Sequence, residues 1–164
     1  MKIESLKDLF HHELKDLWSA EDQITRALPK MIDAASDKEL MTALSEHLKA
    51  TREHRRRIEA ICEDQGWGPR GHKCVGMEGL IKESEDLIKD DMPTEVRDAA
   101  IIGAAQRVEH YEIAAYGTAR TYAEKLGLTS AADRLQATLE EEGEADRLMT
   151  RLAERRINFE AMVD

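Results

Sequence analysis

The stretch "RVEHYEIAAYG", residues 107–117, decides how this chain is read. It lies in a helical pattern whose inward stripe runs Asp98, Ile102, Ala105, Glu109, Glu112, Tyr116, Ala119, in steps of three and four. Glu109 and Glu112 stand where a packed helix should present aliphatic side chains. Three residues apart, they share one helical face and can reach a common point.

The same interruption recurs elsewhere. A first long helix is expected from about Ser5 to Ala35, with the stripe Leu6, Phe10, Leu14, Leu17, Glu21, Ile24, Leu28, Met31. Pro29 should kink or loosen its last turn. A second helix runs to about Asp64, opened by "SDKE" (36–39) as a capping box with Ser36 at the N-cap. Its stripe is Leu40, Leu44, His47, Thr51, His54, Ile58, Ile61. A Gly-rich connection follows, carrying a shorter amphipathic segment at 77–90. The third long helix opens at Pro93-Thr94 and reaches about Leu126. The fourth, capped by Thr129 or Ser130, runs to about Arg156 with the stripe Ala132, Leu135, Leu139, Glu142, Asp146, Met149, Ala153. The tail "INFEAMVD" is too short to assign.

Four long helices with short outer links and one long middle connection predict an all-α fold of the ferritin-like four-helix type, its crossover carrying a short extra helix. Composition agrees. Aromatic residues make up 4% of the 164, strong helix formers dominate, and β-branched runs are absent. That length suits one domain, 1–164, with a core that needs no disulfides.

The helix midpoints fall near residues 20, 50, 110 and 143, and the polar seam positions lie within about two turns of them. One layer of the bundle should therefore hold Glu21, His47, His54, Glu109, Glu112, Glu142 and Asp146. Taken singly, a seam glutamate can snorkel to water and a seam histidine can be an ordinary hydrogen-bonded core residue. Neither explanation predicts a common level on four helices. Five carboxylates cannot be buried and ionised together without opposite charge, and no Lys or Arg occupies the inward positions. A metal-free network of protonated carboxylates is one solution. A divalent metal pair is the more economical one, and the carboxylate-rich donor set favours iron, or manganese, over structural zinc. His47, two turns from His54, can serve as a ligand or orient one. Thr51 can hydrogen-bond a ligand or simply pack, and Tyr116 fits a core aromatic. Glu13, Glu46, Glu53, Glu141, Glu144, His110 and the run Arg55-Arg56-Arg57 fall off the seams and are expected to be solvated. Cys62, His72 and Cys74 are too irregularly spaced for a second metal site.

The net charge of −10, from 24 basic and 34 acidic side chains, opposes nucleic-acid binding. No apolar run is long enough to span a bilayer, and the charged N-terminal stretch is unlike a secretory signal, so a cytoplasmic location is expected. Two cysteines without a Cys-x-x-Cys pair fit that setting.

Five phrases, "KDLWSAEDQITRALPKM", "EHLKATREHRRRIEAI", "KCVGMEGLIKES", "AAQRVEHYEIAAYGTA" and "LEEEGEADRLMTRLA", resemble the YciE/YciF family of ferritin-like stress-associated proteins over nearly the whole chain. The resemblance implies a homodimer, induction under stress and a di-iron centre. Its ligands would be Glu21, His47, His54, Glu109, Glu112, Glu142 and Asp146. The first functional expectation for such a site is oxidation of Fe(II) by dioxygen or peroxide. Alternatives are a manganese-dependent, peroxide-disproportionating protein and a non-catalytic helical module acting through its dimer surface. The sequence departs from the wider di-iron pattern, which uses Glu-x-x-His on two helices. Here one helix reads Thr51-x-x-His54 and another Glu142-x-x-Ala145, with Asp146 one place later.

Overall fold

The apolar steps of three and four close into five helices: α1 (Leu6–Ala34), α2 (Lys38–Asp64), α3 (Val75–Lys89), α4 (Thr94–Lys125) and α5 (Thr129–Leu152). A π-helical turn, Ala153–Ile157, and a last turn, α6 (Asn158–Glu160), follow. The computed structural model describes residues 2–162 and contains no strand among them.

The ends of the helices are set locally. Ser5 caps α1 by accepting from the Asp8 amide at 3.1 Å. Gly66 and Gly127, both at φ 71°, end α2 and α4 in the left-handed conformation that glycine adopts without strain. The residue after each donates to a carbonyl five positions back, Trp67 to Cys62 at 2.8 Å and Leu128 to Ala123 at 2.9 Å.

Several local expectations need correction. The N-cap of α2 is Asp37, which accepts from the Leu40 amide at 2.9 Å, and not Ser36. Ser36 is drawn instead to buried Asp98 of α4, which accepts from the Ser36 amide (2.8 Å), the Ser36 hydroxyl (2.5 Å) and the Asp37 amide (2.9 Å). A buried carboxylate that satisfies two turn amides outcompetes a local capping box. Pro29, expected to kink or loosen the last turn, lies on the exposed side, where water can take the carbonyl it frees, and α1 runs on through it to Ala34. α5 begins at Thr129 without a side-chain cap and stops at Leu152. The π turn after it re-aims the chain so that Ile157 enters the core.

Each long helix packs against two others, α1 on α2 and α4, and α5 on α4 and α2. Asp98 at the start of α4 meets the α1–α2 turn, and Arg156 just beyond α5 pairs with Asp37 at 2.5 Å. The end of α1 and the starts of α2 and α4 therefore share one end of the molecule with the end of α5. All neighbouring long helices are antiparallel. α2 finishes at the opposite end from the start of α4, so residues 65–93 must travel the length of the molecule. α3 lies within that crossing and packs on α1 and α4. Its own buried residues are Met77 and Ser84. It is pinned by the Cys74 amide to Ser19 (2.9 Å), Gln23 to the Cys74 carbonyl (3.0 Å), Cys74 Sγ against the Tyr111 hydroxyl (2.9 Å) and the Lys30–Glu85 ion pair (2.7 Å).

The apolar interior comes in two parts. One gathers Ile24, Leu28, Leu44, Met77, Ile101, Ile102 and Met149; the other gathers Phe10, Leu14, Leu17, Ile58, Ile61, Tyr116 and Leu135. On every long helix the residues separating them are polar and buried.

Candidate metal centre

That separating layer holds Glu21, His47, Thr51, His54, Glu109, Glu112 and Glu142, each at most 6% exposed. The 3.6-residue repeat dictates who enters it. Glu109 and Glu112 are three apart on α4, and His47 and His54 lie two turns apart on α2 with Thr51 between them.

Two sets of donor atoms result. His47, Glu109, Glu112 and Glu142 bring one atom each within 4.8 Å of one another, and so do Glu21, His54 and Glu142. Glu142 belongs to both. Its Oε2 lies 3.9 Å from His47 Nε2, and its Oε1 lies 2.7 Å from His54 Nδ1. His47 Nε2 is 3.2 Å from Glu109 Oε1, and His54 Nδ1 is 3.7 Å from Glu21 Oε1. These approaches are close but poorly directed. Eight buried atoms of the six residues have no hydrogen-bond partner: Glu21 Oε2, His47 Nε2, His54 Nδ1, Glu109 Oε2, both oxygens of Glu112 and both of Glu142. Protonation would pair some of them, Glu109 with Glu142 and Glu21 with Glu112; a cation would satisfy them together.

The protonation pattern shows the strain of the layer without a cation. Burial, with Glu142 next in weight, pushes Glu109 and Glu112 well above the carboxylate range. Burial likewise raises Glu21, to about 8, against the opposing pull of His54. Burial works to raise Glu142 too, but the imidazole of His54, then Glu109 and His47, bring it down to about 2. His54 is the mirror case: burial lowers it, while Glu142, Glu21 and Glu141 outweigh burial and hold it at about 9. Burial lowers His47. Burial thus raises Glu21, Glu109 and Glu112, while His54 and Glu142 shift toward their charged forms against each other.

Asp146, expected in the layer, stands apart from both sets. Four residues beyond Glu142 it has rotated toward α4, where Gln106 Nε2 donates to it at 2.9 Å and His110 Nε2 approaches at 3.3 Å. Glu141, expected to be solvated, keeps 41% of its side chain exposed but reaches back to the layer. His54 Nε2 donates to Glu141 Oε2 at 2.7 Å, and Arg57 grips the same carboxylate with both guanidinium nitrogens at 2.8 and 3.0 Å. Arg57 also donates to buried Thr138 at 3.1 Å. Consecutive residues on α5 therefore face opposite ring nitrogens of His54. The signal for this lay in Arg57, three residues after His54 and hence on its side of α2. Tyr116, read as a core aromatic, is fully buried and its hydroxyl donates to Glu21. Thr51 spends its hydroxyl on the His47 carbonyl at 3.0 Å. Cys62, His72 and Cys74 do not converge; Cys62 is buried in the core, and His72 stacks on His12 and faces Asp16 at 3.4 Å.

No helix among the described residues is long and apolar enough to cross a membrane. The sequence matches the DUF892 family, a domain of unknown function, over residues 5–162. It is 46% identical to protein YciF of Escherichia coli K12 over 162 residues, 98% of each chain. The crystal structure of that E. coli stress protein superposes with a TM-score of 0.91, over 95% of this chain and 99% of the other. YcfI of Rhodopseudomonas palustris, 40% identical, matches with a TM-score of 0.88 over 91% and 95% of the two chains. With a family match spanning nearly its full length, the chain belongs to the DUF892 family.

Proposed function

We propose that this chain is a ferritin-like, stress-associated protein that holds two iron ions in its polar layer and oxidises Fe(II) with dioxygen or peroxide. The observation that carries the reading is Glu142, whose two oxygens face two separate donor sets, the arrangement a bridging carboxylate needs. His47, Glu109 and Glu112 would complete one position, and Glu21 and His54 the other. The donors are oxygen and imidazole, which suits iron or manganese, and a cation would satisfy their unpaired buried atoms. Bound iron would supply the electrons that reduce the oxidant.

The residues around it supply the rest. Glu142 and the other carboxylates lend negative charge that stabilises the more oxidised ion. Glu141, fixed by Arg57, orients the His54 ring and leaves Nδ1 for the ligand side. The Tyr116 hydroxyl holds one oxygen of Glu21 and leaves the other free. The two apolar halves keep bulk water from the layer.

A second reading, metal retention without turnover, is favoured by Thr51, which stands where related di-iron sites place a glutamate and turns its hydroxyl to its own helix. One experiment separates the two. Metal-free protein is titrated anaerobically with Fe(II), then exposed to oxygen while near-ultraviolet ferric absorbance is followed. Saturation near two irons per chain with rapid ferric absorbance is expected. Saturation without oxidation faster than in buffer selects retention alone, and no binding of iron or manganese overturns the metal reading.

A further inference from the structure

Beside the centre lies a cavity of about 280 Å³, enclosed by α1, α3 and α4 with His47 of α2 at its inner end. Its walls are aliphatic, with Ile24, Leu28, Ile81, Ile88, Ala105 and Val108 among them. At the inner end it reaches Glu109 and the His47 side chain, whose Nε2 is buried and without a hydrogen-bond partner. At its rim stand Lys30 and Lys89, with Glu85 as the acidic neighbour. A shallower groove shares Ala27, Lys30, Ile81 and Glu85 with this rim and adds Arg26, Lys73 and Lys82 against Glu78. Around the two openings five cationic side chains thus stand with Glu78 and Glu85, and with Asp22 beside Arg26 and Asp86 beside Lys89, a local balance of five to four in a protein whose net charge is −10.

Apolar walls of this extent serve no purpose for metal entry, since a cation gains nothing from aliphatic contacts. Nor do the neighbouring side chains fill the space, as a close-packed core would. The volume is near the lower end of small-molecule pockets, roughly 300–1,000 Å³. It is about twice the ~150 Å³ that accommodates benzene, which corresponds to a chain of about ten carbons. A basic mouth and an aliphatic shaft match an anionic amphiphile lying lengthwise.

We propose that the cavity under α3 binds a linear aliphatic carboxylate, its head at the Lys30/Lys89 rim and its tail directed toward His47 and Glu109. This deepens the metal-centre reading by naming the class of molecule placed beside it, and rests on that reading only for what happens to the bound chain. Lys30 and Lys89, both exposed, would exchange part of their pairing with Glu85 and Asp86 for the ligand carboxylate. Aliphatic burial gives affinity and the basic rim gives orientation.

The test is calorimetric titration of the metal-free protein with decanoate, decanol and decyltrimethylammonium. Decanoate is expected to bind one to one, at least tenfold tighter than either of the others. Ala27→Leu, which fills the shaft near the rim, should weaken decanoate at least tenfold while iron stoichiometry is unchanged. Lys30→Glu/Lys89→Glu, altering exposed side chains only, should weaken decanoate about tenfold and leave decanol unaffected. Absence of decanoate binding overturns the proposal, as does equal binding by Ala27→Leu or equal affinity for decanol. Iron titration of the same samples tells the two sites apart: decanoate binding without iron binding retains the ligand and removes the metal centre, and the reverse result does the opposite.

Discussion

The two imidazoles of the polar layer face different surroundings. His54 is fixed at Nε2 by the Arg57-anchored Glu141, and its Nδ1 faces Glu142 at 2.7 Å. His47 meets carboxylates through Nε2 and borders a cavity. One half of the centre is braced from outside the layer, and the other half opens toward space that a small molecule can occupy. On the proposed reading, a centre with one rigid and one accessible position would hold metal firmly and leave an approach for a reactant.

The largest expected effect comes from the residue common to both halves. Glu142→Ala should reduce iron from about two per chain to below one, with helical content preserved in far-ultraviolet circular dichroism. Retention of two ions would remove the bridging role. Glu109→Ala is expected to lose only the ion on the His47 side, and losing both or neither would dissolve the distinction between the halves.

Arg57→Ala tests the brace. With Glu141 no longer fixed, affinity for one ion of the pair should fall about 10- to 100-fold while the other is unchanged. An unaltered two-phase titration would show that the His54 half needs no support from outside.

The pH response sharpens the comparison further. Glu21, held at about 8 in the folded metal-free protein, withdraws stability as the pH rises from about 4.5 through 8. His54, held at about 9, contributes stability in full below about 6.5 and loses it as the pH rises through 9. Both slopes have the same sign, so the Tm of chelator-treated protein should fall by several degrees between pH 6.5 and 9. Metal uptake requires the same protons to leave, so iron affinity should rise over that interval. A flat Tm would mean that the two groups titrate as they do in water. The smallest effect belongs to His72→Ala: iron content should not change, and a drop would show that the crossover takes part in the centre.

How much of the molecule is legible in the chain follows the same physical division. The four long helices and the level of the layer can be read because a buried charge on a seam is conspicuous and helical spacing is fixed. Angle around a helix axis is harder to read. Asp146 lies only about 40° past Glu142 in projection, yet that rotation carries it to Gln106 and His110. Glu141, one step before Glu142, is turned to His54 by Arg57, a partner on another helix. The Ser36 cap fails for a related reason, since Asp98 lies 62 residues away. The cavity under α3 is not legible at all, because empty space depends on how α3 settles between Lys30 and Tyr111 and leaves no mark in periodicity.

The split interior has one more consequence. Helices rich in alanine and leucine can slide along one another by a turn, about 5.4 Å, and still set apolar against apolar. A carboxylate layer forbids that movement, because any slipped helix would press Glu21, Glu109 or Glu142 against Leu44, Ile58 or Ile102. The layer that costs this bundle stability also acts as its ruler, selecting a single axial alignment among many of similar apolar quality.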